Sequence, residues 1–231
     1  MIRRHFIVST AAALAVGPYA AGALAQSAAQ AVAIPRTQRA SGAKATEPVI
    51  LVLGDSLSAE YGLRRGTGWV ALLEKKLGTE GLNARVVNAS ISGDTTSGGR
   101  SRLGALLAQH RPSHVIIELG GNDALRGLPL PMSEDNLHQM TLAAKKTGAR
   151  VLLVGMQVPP NYGTDYSNRF ASLFDRVART NKVSLVPFLL TGVADAPDPR
   201  KLFQNDGIHP REEAHSIILA NVWPELRKLI P

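Results

Sequence analysis

The chain has 231 residues, of which 45% are hydrophobic and 19% are charged, and its formal net charge is +8. These values are typical of one globular domain with appendages and exclude an intrinsically disordered chain. Because there is no cysteine, disulfides, thiolate nucleophiles and cysteine metal sites are excluded. The basic residues are scattered doublets without interleaved aromatics, which argues against nucleic-acid binding and is compatible with peripheral contact with anionic lipid.

The N-terminal segment has the features of an export signal. The basic start MIRRHF precedes an apolar, alanine-rich stretch, and Ala23-Leu24-Ala25 has the A-x-A form of a cleavage site. We therefore interpret residues 1–25 as a signal peptide that directs the protein to the periplasm or out of the cell. Its paired arginines also resemble a twin-arginine signal. Residues 26–47 lack periodicity and predict a flexible linker before a domain at 48–231.

From residue 48 onwards, apolar runs alternate with amphipathic segments. Continuous apolar runs predict five buried strands, near residues 49–53, 84–90, 114–119, 150–156 and 183–188. Apolar residues at helical spacing predict helices near residues 67–77, 100–109, 166–181 and 210–229, and Ser133 is a candidate N-cap of another helix. This alternation predicts an α/β fold with a parallel five-stranded sheet between layers of helices.

Polar, turn-forming motifs follow four of these strands. They are Gly54-Asp55-Ser56, Ser92-Gly93-Asp94, Gly121-Asn122-Asp123 and, before the last helix, Asp206-Gly207-Ile208-His209. Because the carboxyl ends of parallel strands meet at one edge of the sheet, we expect the four motifs to converge. Taken singly, each is also an ordinary strand-to-helix turn, for which these residue types are common.

Ser56 is a candidate nucleophile if a base and an orienting acid accompany it. His209 follows Asp206 by three residues, so one loop can hold the acid against Nδ1 and leave Nε2 for the serine. The backbone N–H groups of Ser56 and Gly93 and the side-chain amide of Asn122 are suitable donors to an oxyanion. Asp55 is expected to hydrogen-bond within its own turn.

The other histidines predict no competing site. His110 and His114 have the spacing of metal ligands on a helix, but Pro112 between them interrupts that helix. His138 is expected to be solvated, and His215 to be a structural residue of the last helix. No metal site is therefore expected, and the sequence indicates no cofactor.

The four motifs, in the form GDSLS, NASISGDTTSGG, ELGGNDALRG and DGIHP, resemble the four blocks of the SGNH (GDSL) hydrolases. Over about residues 48–230 the chain is similar to the exported acyl-CoA thioesterase, lysophospholipase and arylesterase group of that family. The resemblance implies a flavodoxin-like three-layer α/β/α sandwich. It also implies the site: Ser56 as nucleophile, His209 as base, Asp206 as orienting acid, and Gly93 and Asn122 in the oxyanion hole.

The residues and the resemblance together predict a serine esterase or thioesterase that hydrolyses acyl thioesters, lysophospholipids or aryl esters. Leu125, Leu128 and Leu130 are candidates for an apolar wall opposite residues 156–163, which favours medium or long acyl chains. A carbohydrate O-deacetylase, an acyltransferase and a non-catalytic acyl-lipid binding module are the alternatives. The sequence indicates no protein partner and gives no basis for an oligomeric state.

Overall fold

In a computed structural model that describes residues 47–231, five strands form one parallel sheet. They are β1 (Val49–Gly54), β2 (Arg85–Asn88), β3 (His114–Glu118), β4 (Arg150–Val154) and β5 (Ser184–Val186). Their spatial order is β2-β1-β3-β4-β5, which is the flavodoxin-like order with a reversal between β1 and β3. The predicted parallel α/β sheet is confirmed.

Helices cover both faces of the sheet. They are α1 (Trp69–Thr79), α2 (Thr96–His110), α3 (Gly121–Leu125), α4 (Leu130–Lys146), α5 (Thr164–Asn181) and α6 (His215–Arg227). Helix α1 packs against α6, whereas α2, α4 and α5 pack side by side, which gives the expected three layers.

The core lies between the sheet and these helices. Strands β1 and β3 are buried along almost their whole length, as expected for central strands that are covered on both faces. Trp69 of α1 and Phe170 of α5 are also fully buried. This packing fixes the carboxyl ends of β1 and β3, between which the crevice of such a sheet opens.

Two helices begin earlier than their apolar patterns predict. Helix α2 begins at Thr96 rather than Arg100, because the Thr95 hydroxyl caps it by accepting an N–H of the first turn. Helix α4 begins at Leu130, so the prediction of Ser133 as its N-cap is wrong. Ser133 is buried within the helix and donates a hydrogen bond to a carboxylate of α3.

The predicted signal peptide, residues 1–25, and all but the last residue of the predicted linker, residues 26–47, lie outside the described residues. Within residues 47–231, no helix combines the length and the apolar character needed to cross a bilayer.

Candidate active site

Ser56 lies just beyond the carboxyl end of β1, beside the point where the strand order reverses. Its turn is held by Asp55, whose carbonyl accepts the N–H groups of Ser58 and Ala59 at 3.2 and 3.0 Å. The Asp55 carboxylate also accepts the Leu57 N–H at 3.0 Å, which is the expected bond within the turn. The Ser56 hydroxyl is therefore carried on a fixed backbone at the edge of the sheet.

Asp206 and His209 lie at the tip of a short hairpin after β5. Its arms pair in antiparallel fashion, with the Gln204 N–H donating to the His209 carbonyl at 2.8 Å. Gly207 lets the chain turn back at φ +67, a conformation that suits glycine. The hairpin presents the imidazole to Ser56.

Asp206, His209 and Ser56 form a continuous hydrogen-bonded chain. Asp206 Oδ2 lies 2.7 Å from His209 Nδ1, and His209 Nε2 lies 2.8 Å from Ser56 Oγ. Because a carboxylate can only accept, Nδ1–H donates to Asp206, and Nε2 accepts the serine hydroxyl. The three residues that the sequence assigned to one site are thus in contact.

The hairpin keeps Asp206 ionised. Desolvation opposes the charge, but the carboxylate accepts the N–H groups of Ile208 and His209 at 2.9 and 3.0 Å as well as the imidazole Nδ1–H. Despite the desolvation, these hydrogen bonds lower the pKa of Asp206 to about 2. A permanent carboxylate can orient the imidazole and stabilise its protonated form.

A second carboxyl group flanks Ser56 on the side of β3. Asp55 is 3% exposed, and its Oδ2 accepts the side-chain amide of Asn122 at 3.0 Å. Burial raises the pKa of Asp55 to about 6, although the hydrogen bonds from Leu57 and Asn122 partly offset this effect. The sequence predicted Asn122 as a donor but missed this partner, which uses one of its two amide protons.

The predicted oxyanion donors come from the turns of Ser56 and Gly93 and from Asn122 at the start of α3. Among residues 47–231, neither the Ser56 N–H nor the Gly93 N–H donates to a protein acceptor. The turn of Gly93, at φ +78, is held beside β1 because the Ile91 N–H donates to the last carbonyl of that strand at 3.0 Å. Arg126, which follows directly after α3, donates to the Gly93 carbonyl at 2.8 Å and so joins the turn of Gly93 to that helix.

Beneath Ser56 lies a buried network that the sequence patterns did not reveal. Ser58 Oγ donates to Glu118 Oε2 at 2.7 Å, and Trp69 Nε1–H donates to Ser58 Oγ at 3.2 Å. Desolvation, together with the charge of Asp55, raises the pKa of the fully buried Glu118 well above its usual range, so its neutral form is favoured. Its Oε1 has no hydrogen-bond partner among residues 47–231. The available signal was a glutamate at the end of the apolar run HVIIE.

An apolar cleft of about 780 Å³ opens beside Ser56 and His209. Its apolar walls include Leu125, Met156, Val158, Pro159, Phe188, Leu190, Phe203 and Ile208. The prediction of a leucine wall is right for Leu125 but wrong for Leu128 and Leu130, which do not line the cleft. Leu130 begins α4 and is buried in the core.

Two other histidines have structural partners. His215 is buried, and its Nδ1 accepts the Trp69 N–H at 3.0 Å. His138 is half-buried and lies 3.0 Å from the Asn181 amide, so the expectation that it is solvated is wrong. Within the described range, no group of three or more His, Asp or Glu residues could hold a metal ion.

A doubly wound sheet with a serine–histidine–aspartate chain at its carboxyl edge has the arrangement of a serine hydrolase. Residues 52–217 match the model of the GDSL-like lipase/acylhydrolase family, and the chain belongs to this family. The resemblance to the SGNH (GDSL) hydrolases is thereby confirmed.

Individual relatives agree with this assignment. Esterase TesA of Pseudomonas aeruginosa is 50% identical over 187 residues, which are 81% of this chain and 92% of that protein. Thioesterase 1/protease 1/lysophospholipase L1 of Escherichia coli K12 is 40% identical over 186 residues, 80% of this chain and 86% of that protein. Esterase EstA from Pseudoalteromonas sp., whose crystal structure was determined with the enzyme inhibited by monoethylphosphonate, is 39% identical in sequence to this chain. The two structures superpose with a TM-score of 0.74 over 79% of this chain and 98% of EstA. The prediction of an ester hydrolase is confirmed.

Proposed function

We propose that the protein hydrolyses acyl esters and thioesters through an acyl-enzyme intermediate on Ser56. The observation that carries the proposal is the hydrogen-bonded chain from Asp206 through His209 to Ser56, with steps of 2.7 and 2.8 Å, at an apolar cleft. A serine hydroxyl is a weak nucleophile until an adjacent base takes its proton. In this proposal His209 is the base and Asp206 orients it.

During acylation, Ser56 Oγ bonds to the substrate carbonyl carbon while its proton moves to His209 Nε2. The resulting imidazolium stays paired with the Asp206 carboxylate. When the tetrahedral intermediate collapses, the bond to the alcohol or thiol breaks, and the leaving group takes the proton from Nε2. A water molecule then attacks the acyl carbonyl and gives a proton to Nε2, and the carboxylic acid departs as Ser56 regains its proton.

The carbonyl oxygen carries a negative charge in each tetrahedral intermediate and needs hydrogen-bond donors. The proposed donors are the N–H groups of Ser56 and Gly93 and the second amide proton of Asn122. One such donor contributes on the order of 3 kcal/mol. Asp55 supports this role because its Oδ2 accepts a hydrogen bond from Asn122 Nδ2 at 3.0 Å, which uses the other amide proton and fixes the plane of the amide.

The cleft favours substrates with a medium or long acyl chain. Its volume of about 780 Å³ is large enough for such a chain, and apolar side chains such as Met156, Phe188 and Phe203 contribute to its walls. The Escherichia coli relative is named a thioesterase and lysophospholipase, which supports acyl thioesters and lysophospholipids as candidate substrates. Inhibition of EstA by a phosphonate is the behaviour expected of a nucleophilic serine.

Hydrolysis of p-nitrophenyl esters from acetyl to palmitoyl, by the purified protein and by Ser56→Ala, tests this proposal. We expect a maximum at medium or long chains and a loss in kcat on the order of 10⁶-fold in Ser56→Ala. Ser92→Ala is the matched control, because this exposed serine lies in the neighbouring turn of Gly93.

Other outcomes of this experiment favour the alternative functions. Negligible activity in both proteins would favour a non-catalytic acyl-lipid module. Turnover of acetylated sugars alone would favour a deacetylase. A shift of products to new esters on addition of an alcohol would favour an acyltransferase.

We also propose peripheral contact with anionic lipid. Four exposed apolar side chains lie in segments next to the triad: Tyr61, Ile91, Leu125 and Ile208. Exposed apolar patches often mark interaction sites, and exposed arginines beside them, such as Arg126, attract anionic headgroups. Co-sedimentation with phosphatidylglycerol vesicles should exceed that with phosphatidylcholine vesicles. It should fall in Ile208→Gln but not in the distant control Leu142→Gln, and equal binding throughout would contradict the proposal.

Export is proposed from the basic start, apolar stretch and A-x-A site of residues 1–25. Cell fractionation and N-terminal sequencing should find periplasmic or secreted protein that begins at Gln26. Replacement of both Arg3 and Arg4 by lysine should block export only if the twin-arginine route is used. Cytoplasmic protein that keeps residues 1–25 would contradict the proposal.

A further inference from the structure

Tyr61 lies next to the triad, yet it belongs neither to the core nor to the cleft walls. The residue is 50% exposed, and other side chains form the cleft. Its ring lies against the His209 imidazole, with ring centroids 4.3 Å apart and planes inclined by 38°. The imidazole is the one aromatic ring among residues 47–231 that packs against Tyr61.

The backbone of Tyr61 joins the turn of Ser56 to the hairpin of His209. Its N–H donates to the Ser56 carbonyl at 3.3 Å, and its carbonyl accepts Gln204 Nε2 at 2.9 Å. Gln204 Nε2 also donates to the Pro210 carbonyl at 3.1 Å, and the Gln204 N–H donates to the His209 carbonyl at 2.8 Å. Tyr61 therefore contacts the candidate nucleophile's turn on one side and the candidate base's hairpin on the other.

The segment around Tyr61 is held in a specific conformation. Glu60 has a left-handed backbone at φ 60, which is uncommon for a residue with a side chain. Its carboxylate compensates by accepting the N–H groups of Gly66 and Gly68 at 3.0 and 2.8 Å. Gly62, at φ 70, passes so close to Gln204 that any Cβ there would collide with its side chain. Such strain persists where the surroundings require the conformation.

We propose that Tyr61 is a positioning residue for ester hydrolysis, because its ring holds the His209 imidazole in the orientation that faces Ser56. The proposal rests on the function proposed above, in which His209 is the base. The π face of the ring also stabilises the imidazolium that forms when His209 takes the serine proton. The side chain of His209 is only 17% exposed, so little water competes with the Tyr61 ring for contact with the imidazole.

Steady-state kinetics of Tyr61→Leu and Tyr61→Phe on two p-nitrophenyl esters, acetyl and octanoyl, test this role. We expect Tyr61→Leu to lower kcat roughly 3- to 10-fold on both esters with little change in KM, since the ring acts on the imidazole and not on the acyl chain. Tyr61→Phe keeps the π face and should retain most of kcat. Tyr162→Leu is the matched control, because that tyrosine stacks on Tyr166 instead of a candidate catalytic residue.

An unchanged kcat in Tyr61→Leu overturns the inference, and so does a loss confined to KM for the octanoyl ester, which would make Tyr61 an acyl-chain contact. An equal loss in Tyr61→Phe also overturns it, because the effect would then belong to the hydroxyl. If Tyr61→Leu unfolds, Tyr61→Gln is judged by the same criteria. Full activity in His209→Ala would refute the proposed function itself, whereas an inactive His209→Ala beside a normal Tyr61→Leu would refute this inference alone.

Discussion

Two aspartates support the candidate site, Asp55 next to Ser56 and Asp206 next to His209, and their surroundings displace their pKa values in opposite directions. Asp206 lies on an exposed hairpin, where hydrogen bonds from two N–H groups and the imidazole outweigh desolvation and lower its pKa to about 2. Asp55 lies in a buried turn, where desolvation dominates and raises its pKa to about 6. The environment therefore separates the roles of two identical side chains. One keeps a permanent charge for the base, and the other holds an amide donor.

The two regions also differ in what keeps them in place. The turn of Ser56 rests on the core, through Ser58 and the buried Glu118. The hairpin of His209 follows the three-residue strand β5 and depends on hydrogen bonds, including those from Gln204. Substitutions in the hairpin should therefore affect activity more than stability, and substitutions beneath the turn should do the reverse.

Of the two aspartates, the one on the hairpin should have the larger effect on activity. Asp206→Asn should lower kcat by roughly 10³- to 10⁴-fold, because an amide can donate to Nδ1 and hold the wrong tautomer of His209. Because the Asp206 side chain is 37% exposed, solvent screens its charge, and we expect only a small loss in the free energy of unfolding at neutral pH, where the lowered pKa of Asp206 stabilises the parent. Ester hydrolysis and urea unfolding measure the two quantities. Asp195→Asn, at another acid of the same cleft, is the control, and a loss below tenfold in Asp206→Asn would contradict its assignment.

The pH dependence of stability should show the opposite displacement at Asp55. A raised pKa means that its contribution to stability is fully present below pH 3.8 and is lost as the pH rises through about 6. Asp55→Asn removes this loss, so its stability relative to the parent should rise by on the order of 3 kcal/mol between about pH 3.5 and pH 7.5. Urea unfolding at both pH values measures the change.

Asp206→Asn should change the pH dependence of stability in the opposite direction. In the parent protein, the lowered pKa of Asp206 stabilises the fold above pH 3.8, and this contribution is lost as the pH falls through about 2. Parallel stability curves for Asp55→Asn and the parent protein would show that Asp55 titrates normally, and the contrast between the two acids would then fail.

The hairpin side was the more predictable from sequence. Asp206 and His209 are three residues apart, so their contact is local, and Ser56 joins them because parallel strands end at one edge of a sheet. The pairing of Asp55 with Asn122 spans 67 residues, and no periodic pattern encodes which polar side chains meet over that separation. The contact between the Tyr61 and His209 rings likewise depends on a loop whose turns only the tertiary structure determines.

Helix boundaries were missed for a different reason. Apolar spacing shows where a helix faces the core, but α2 and α4 begin in segments where capping and buried polar contacts replace apolar ones. Because the start of α4 was predicted too late, Leu130 was assigned to the cleft, whereas it is buried in the core. The same apolar residue type serves both places, so composition alone could not separate them.

A smaller effect, on stability, is expected beneath the turn. A Cβ on Gly54 would lie 2.8 Å from Glu118 Oε2 and from Ser58 Oγ, and both groups are buried. Gly54→Ala should therefore destabilise the fold by about 1–3 kcal/mol through overpacking. Gly78→Ala, in α1 with open space around its Cβ, should instead stabilise by up to about 1 kcal/mol. Urea unfolding measures the free energy of unfolding of both variants. If Gly54→Ala is no less stable than Gly78→Ala, the turn of Ser56 can shift to accommodate the added Cβ.

The smallest effect is expected for Glu118→Gln, which tests whether the buried acid is neutral. A protonated carboxyl and an amide are both uncharged, and the amide oxygen can still accept the Ser58 hydroxyl, so at about pH 5 the free energy of unfolding should change by less than about 1 kcal/mol. The raised pKa of Glu118 makes its contribution to stability complete below pH 4.5 and progressively lost as the pH rises, so Glu118→Gln should gain on the parent protein towards pH 8. Glu118→Leu leaves Ser58 Oγ without its acceptor and should be the less stable of the two at about pH 5. If Glu118→Gln instead destabilises the protein increasingly as the pH rises, the folded protein must stabilise an ionised Glu118. The turn of Ser56 would then be supported by a buried charge.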